Sequence, residues 1–308
     1  MTHRRSTKQP RGRLPLLLLA VMGLVGVPHP AWPATAAGTQ PFPSSSSSGD
    51  VIDQLVQQGM MRRAQQDLRG GIEAFQQVLA LRPDHVEAHY QLGMALEEAF
   101  DQTGALREFE RVMVLAPHHL DGHFRAGLIY GQRQDPARAI QAFSTVVRAN
   151  PDHVVARFNL GLAFRQAGDQ AWAKRQFELV LKQDPRHSGA HTSLGNIAFE
   201  QGDLVRASQE FHAALQADAK NVRAYRNLGA VLRQQGDLPG ARDAYRQAIV
   251  LDDRDPMLFL EYADLLNAGG QESEAAGAYR QALALVPQTT THAELKALIE
   301  AKLRRVSH

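Results

Sequence analysis

From residue 52 onward the chain alternates short apolar runs at helical spacing with polar breaks. Phe177, Val180 and Leu181 show the spacing within one run: apolar side chains three and four residues apart share one face of a helix. Breaks recur near the middle of each unit at Gly168-Asp169, Gly202-Asp203 and Gly236-Asp237. Each unit therefore reads as two short helices joined by a tight turn, and the pattern predicts an all-α chain.

The units repeat in phase. Leu92-Gly93 is followed by Ala105, Phe109, Val112 and Pro117. A step of 34 residues reaches Gly127, Ala139, Phe143, Val146 and Pro151, and a further step Leu160-Gly161, Ala173, Phe177, Val180 and Pro185. The series continues through Leu194-Gly195, Ala207 and Phe211, then Leu228-Gly229, Ala241 and Tyr245, and ends at Ala275, Tyr279, Ala282 and Pro287. Backward it reaches Gly59, Gly71, Phe75, Val78 and Pro83. This gives seven copies without an insertion: 52–85, 86–119, 120–153, 154–187, 188–221, 222–255 and 256–289. Leu-Gly, then Ala, then an aromatic, then Pro resembles the tetratricopeptide repeat (TPR) pattern.

Glycine and alanine let two helix axes approach, and the aromatic fills the wedge beside them. Proline ends the second helix, and Asp84, Asp152 or their equivalents are expected to cap the next first helix. No copy buries its own apolar face, so neighbours must stack. The resemblance implies a right-handed α-solenoid of seven TPR repeats whose first helices line a concave groove. Departures fall at Ala126, Ala219 and Asp253, the last followed by Pro256, so the sixth junction is expected to be irregular.

The ends have other characters. Residues 1–36 combine Arg4, Arg5, Lys8, Arg11 and Arg13 with an apolar run from Leu14 to Val27 and a small-residue site at Ala34-Thr35-Ala36. That order describes a secretory signal peptide. The run is shorter than the roughly 20 residues a spanning helix needs, so cleavage is expected, with an uncleaved N-terminal anchor as the alternative. Residues 37–51, with Pro41, Pro43 and Ser44 to Ser48, read as a disordered linker. In 290–308, Thr291-His292-Ala293-Glu294 reads as a capping box. It precedes a stripe of Leu295, Leu298, Ile299 and Leu303, expected as a C-terminal capping helix.

Charge and composition narrow the function. Removing residues 1–36 takes the formal charge from +2 to −3, which leaves no electrostatic pull toward nucleic acid or an anionic membrane. The absence of cysteine excludes disulfides, thiolate metal sites and cysteine nucleophiles. Glycine-rich nucleotide loops, His-Glu-x-x-His and Gly-x-Ser-x-Gly are absent, and no segment remains for a catalytic domain. His85/His89, His119/His123 and His187/His191 are spaced to share a metal on one helical face. The second of each pair stands where the family places a packing aromatic, so no metal or other cofactor is expected. Asp252-Asp253-Arg254-Asp255 lacks the alternation of a calcium loop and reads as a turn, and Glu97-Glu98 as an exposed helix end.

The expected function is a non-catalytic scaffold of the cell envelope, periplasmic or secreted. Its partner would be a peptide or helix segment of another protein, with no nucleic acid and no stable membrane insertion after cleavage. Groove positions carried over from the family are Met60, Tyr90, Met94, Phe124, Leu128, Phe158 and Leu162, an apolar stripe, and Arg165, Asn196, Arg223, Arg226 and Arg233, a polar and arginine-rich one. Tyr90, Phe124 and Phe158 read equally as core. Two further readings stay open: an accessory subunit of envelope polysaccharide or glycosyl-transfer machinery, and a metal or haem carrier using the histidine pairs.

Overall fold

The structure, a computed structural model, describes residues 48–287 and 289–306. The expected signal peptide and most of the linker lie outside them. Among the described residues there are fifteen α-helices and no strand. The first helices of the seven hairpins are α1 (Ser48–Ala64), α3 (Val86–Glu98), α5 (Leu120–Gln132), α7 (Val154–Gln166), α9 (Ser188–Glu200), α11 (Val222–Gln235) and α13 (Pro256–Ala268). The second helices are α2 (Leu68–Leu81), α4 (Gln102–Leu115), α6 (Pro136–Ala149), α8 (Gln170–Gln183), α10 (Leu204–Ala217), α12 (Leu238–Leu251) and α14 (Glu272–Leu285). α15 (Ala293–Val306) closes the array. Helix starts keep the 34-residue phase from α2 to α14, through the sixth junction, where α13 begins in register at Pro256. α1 begins at Ser48, so residues 48–51 are helical where the sequence reads as linker.

Each helix packs on its predecessor and its successor. First helices also meet directly, α1 with α3, α5 with α7 and α9 with α11, and no pair of second helices packs to that extent. First helices therefore form the inner row of the stack. Its core is the repeated set Phe75, Phe109, Phe143, Phe177, Phe211, Tyr245 and Tyr279, all essentially buried, with a small residue beside each ring. A Cβ on Gly59, Gly93, Gly127, Gly161 or Gly195 would come within 2.6–2.8 Å of the ring sixteen residues on, so these positions hold glycine because the ring occupies the space.

Turns within the hairpins are set by one left-handed residue and one aspartate. Gly168, Gly202, Gly236 and Gly270 have positive φ, and the first three copies impose the same conformation on Gln66, Phe100 and Gln134. The next residue, Asp67, Asp101, Asp135, Asp169, Asp203 or Asp237, accepts from the backbone N–H three residues on at 2.8–3.1 Å and caps the second helix.

Caps between copies differ from the sequence expectation. Asp84 and Asp152 do not cap the first helices. The next residue does, in each case a histidine: His85, His119, His153 and His187 accept through Nδ1 from the N–H of Ala88, Gly122, Ala156 and Ala190 at 3.1–3.2 Å. Asn221 and Asp255 do the same work for α11 and α13. The aspartates lie one residue too early, outside the reach of the first turn's free donors. At the C-terminal end the capping box does not form as read: residues 290–292 make a 3-10 turn, Thr291 Oγ1 lies 3.2 Å from His292 Nδ1, and α15 starts at Ala293.

Two outer faces end the stack. Toward the N-terminus α1 shows Gln54, Gln58 and Met61, all exposed, where later copies carry Ala88, Leu92 and Ala95, all buried. Toward the C-terminus α15 lays Ile299 and Val306 on α14, and Lys302 bonds to Asp264 at 2.7 and 2.8 Å. No helix among the described residues is long and apolar enough to cross a membrane.

Candidate binding groove on the inner row

The histidines resolve into two structural columns. The capping column also stacks on the preceding copy: His119 lies 4.8 Å from Tyr90, His153 5.2 Å from Phe124 and His187 4.7 Å from Phe158, centroid to centroid. The same aromatics touch the core rings Phe109, Phe143 and Phe177 at 5.6–6.0 Å. Tyr90, Phe124 and Phe158 are therefore half-buried wedges between copies, and the core half of their double reading is the one the geometry supplies.

The second column ties α3, α5, α7 and α9 to the turn before each. His89 Nε2 faces the Pro83 carbonyl at 2.9 Å and Nδ1 faces Glu108 at 2.6 Å. His191 repeats this with Pro185 at 3.0 Å and Glu210 at 2.8 Å. In the fourth copy Arg157 takes the position, donating to the Pro151 carbonyl at 2.6 Å and to Gln176 at 3.3 Å. His123 reaches Pro117 at 3.0 Å, but Ala142 stands where the others have an acceptor, so its buried Nδ1 has no partner. Burial pushes the His123 pKa down, the Pro117 bond opposes, and His119 adds to the lowering.

The remaining sequence-predicted positions line the inner row. Met60 is exposed, and Met94, Leu128 and Leu162 are half-buried against the core with one side open. Asn227 donates to Asn196 across α11 and α9 at 2.6 Å. The four arginines do not form one cluster. Arg226 is committed, with two bonds to Glu261 at 2.6 and 2.8 Å and one to Asp255 at 3.0 Å. Arg223 and Arg233 are exposed and Arg165 is half-buried, none with an ion pair among the described residues. Burial lowers the Arg165 pKa, Glu200 partly offsets this, and Arg223 lowers it further.

The register position of Arg223 holds, in the other copies, residues that escaped the sequence reading. Asp53, Glu87, Asp121, Val155, Gly189, Arg223 and Met257 occupy one register position in successive first helices. The ridge is acidic in the first three copies, uncharged in the next two, basic at Arg223 and uncharged again at Met257. A reading by column across copies, instead of by copy, carries that signal.

Stacked helical hairpins with an open inner row define a binding solenoid. The tetratricopeptide repeat model matches residues 56–119, 124–173, 171–221, 206–256 and 228–293, and the chain belongs to the tetratricopeptide repeat family. No curated protein matches it. Among solved structures it is similar to a tetratricopeptide repeat protein from Parabacteroides merdae (14% identity, TM-score 0.65, covering 84% of this chain and 100% of that one). It is also similar to the Cut9–Hcn1 hetero-tetramer of APC/C (17% identity, TM-score 0.62, 78% and 48% covered). MamA is a third (22% identity, TM-score 0.53, 57% and 96% covered). At these identities the likenesses show the fold. Tetratricopeptide repeats bind other proteins, and the array is a protein–protein interaction scaffold at that level of description.

Proposed function

We propose that the chain is an exported, non-catalytic scaffold of the cell envelope that holds a segment of another envelope protein along its inner row. The observation that carries the reading is the run of Met94, Leu128 and Leu162, each packed on the core from one side and uncovered on the other. Apolar side chains left open on a rigid support are the makings of an interface centre. The basic start of the sequence, its short apolar run and Ala34-Thr35-Ala36 support export. One fold neighbour, Cut9–Hcn1, is a hetero-tetramer, which supports a protein as the ligand.

The test compares the full chain with a Leu128→Ser/Leu162→Ser variant in affinity capture from an envelope fraction. Substituting Tyr90, Phe124 and Phe158 would be less informative, because they wedge the copies apart. A protein retained by the wild type and lost by a variant with an unchanged helical melt supports the groove. Equal recovery by both places the partner elsewhere, and a chain recovered only from the cytosolic fraction overturns the location.

A further inference from the structure

The groove reading leaves the second helices unused, and three of them carry one sign of charge on their open side. On α4 the exposed residues Arg107, Arg111 and Val114 follow at i, i+4 and i+7, one stripe of the helix. The same register positions hold Gln141, Thr145 and Arg148 on α6, and Arg175, Leu179 and Lys182 on α8. These helices are tied side by side. Arg138 at the start of α6 reaches Glu110 of α4 at 3.5 Å. Gln183 at the end of α8 donates to the Pro151 carbonyl and to Asp152, just past the end of α6, both at 3.0 Å.

The carboxylates of these helices are already partnered. Glu108 meets His89 at 2.6 Å, Glu110 accepts from Tyr130 at 2.7 Å, and Glu178 pairs with Lys174 and Arg206 at 4.0 and 3.6 Å. Arg107, Arg111, Arg148, Arg175 and Lys182 are exposed, and none has an ion pair among the described residues. The patch is bounded along the stack: Glu73 takes the Arg107 position in the first copy, Gln209, Ala213 and Gln216 form the stripe in the fifth, and Asp243 returns in the sixth. Two large apolar side chains lie among the cations. Val114 is 68% exposed, and Trp172, 47% exposed, heads the α8 stripe with the Arg175 guanidinium 5.2 Å over its ring. The formal charge of −3 left after residues 1–36 are removed averages over this asymmetry.

Exposed cations without partners are drawn to the negative surface potential of anionic lipid. Tryptophan and arginine side by side suit the headgroup level, where an amphipathic ring meets both water and hydrocarbon. A soluble polyanion would use the cations and leave Val114 and Trp172 in water. On the export reading, which this inference shares, the apolar run of residues 14–27 brings the array to a bilayer.

We infer that the outer face of α4, α6 and α8 docks on an anionic lipid surface without crossing it. Trp172 and Val114 sit at the headgroup level, and the inner row on the opposite side of the stack stays open to its partner.

The test uses the full chain carrying Trp32→Phe, which leaves Trp172 as its single tryptophan. Vesicles are phosphatidylcholine alone or mixed with phosphatidylglycerol. Because Trp172 reports its own surroundings, binding through residues 1–36 is not mistaken for docking. Expected are a blue shift of Trp172 emission and its quenching by brominated lipid, with the phosphatidylglycerol vesicles only and fading as salt rises. Arg107→Gln/Arg111→Gln/Arg148→Gln is expected to raise the lipid needed for half the shift about tenfold or more, with an unchanged helical melt. Arg107→Lys/Arg111→Lys/Arg148→Lys is expected to respond as the parent does. If the chain sediments with phosphatidylglycerol vesicles while Trp172 emission stays unchanged, only the N-terminal segment binds and the inference falls. Equal responses to both vesicles, or a triple glutamine variant that responds as the parent does, overturn it as well. If soluble polyglutamate shifts the emission and the vesicles do not, the face takes an acidic protein and lipid docking is wrong. None of these outcomes bears on the groove or on export, which the capture experiment judges.

Discussion

A Cβ placed on Gly161 would sit 2.6 Å from Cε1 of Phe177, well inside van der Waals contact. The pair sets the distance between α7 and α8, and it recurs in four other copies, with Gly229 and Tyr245 in the sixth. In the seventh copy the glycine is Ala263 and the ring is Tyr279, so a methyl is accommodated only where the hairpin has been built around it. Gly161→Ala should therefore destabilise the array by about 1–3 kcal/mol as an overpacked site, despite alanine's better helix propensity. Urea unfolding followed by circular dichroism measures it. A stabilised variant would show that the ring moves aside freely.

The histidine caps make a second prediction. His153 Nδ1 accepts from Ala156 N–H at 3.2 Å, and its ring lies 5.2 Å from Phe124. His153→Ala removes both contacts and should cost about 1–2 kcal/mol. His153→Asn keeps the cap, as Asn221 does for α11, and should recover most of the loss. The difference between asparagine and histidine in the same urea titration reports the stacking contribution alone.

These two cases also show what a single sequence discloses. The glycine and aromatic columns were legible because close approach of two axes allows few residue types, so the pattern returns every 34 residues almost unchanged. The histidine columns were visible as spacing but ambiguous in chemistry. A pair four residues apart on one helix suits a metal equally well. Only the structure shows that His85 and His89 serve different neighbours, the α3 N-terminus and the Pro83–Glu108 pair. One clue was available: where proline is replaced by Ala219 or Asp253, the histidine six residues on becomes Tyr225 or Phe259, because the tie to that turn is no longer made. The arginines carried over to the groove do not act as one set. Pairing of Arg226 with Glu261 and Asp255 spans 35 and 29 residues, and no local pattern announces it.

Tyr245 gives a third prediction. It is the one aromatic of the core column whose hydroxyl is both buried and unpartnered, and burial pushes its pKa up. Tyr279, by contrast, donates to Asp264 at 2.7 Å. Five other copies use phenylalanine at this position. Tyr245→Phe should stabilise the protein by about 1 kcal/mol through removal of an unsatisfied polar group. Tyr279→Phe should instead lose about 1 kcal/mol, because it removes the bond to Asp264 and leaves that carboxylate to Lys302 alone. Parallel thermal melts of the two variants decide the matter, and shifts of the same sign would contradict the assignment.

His123 makes stability depend on pH, and the sign follows from its surroundings. Its pKa in the folded chain lies below the ordinary histidine value of about 6.5. Desolvation disfavours the imidazolium, and His119 adds repulsion when both are charged, while the Pro117 carbonyl opposes them in part. The unfolded chain therefore takes up the proton first as pH falls. The contribution of neutral His123 to stability is complete above about pH 6.5 and is lost as pH drops from there toward the folded-state pKa. His123→Tyr places at this position the residue that the sixth copy has at Tyr225 and removes the titration. The variant should show a shallower fall in unfolding free energy between about pH 7 and pH 5 than the wild type. Proton NMR titration of the wild type should place the assigned His123 ring below the ordinary histidine value, and a value at or above it would count against burial as the cause.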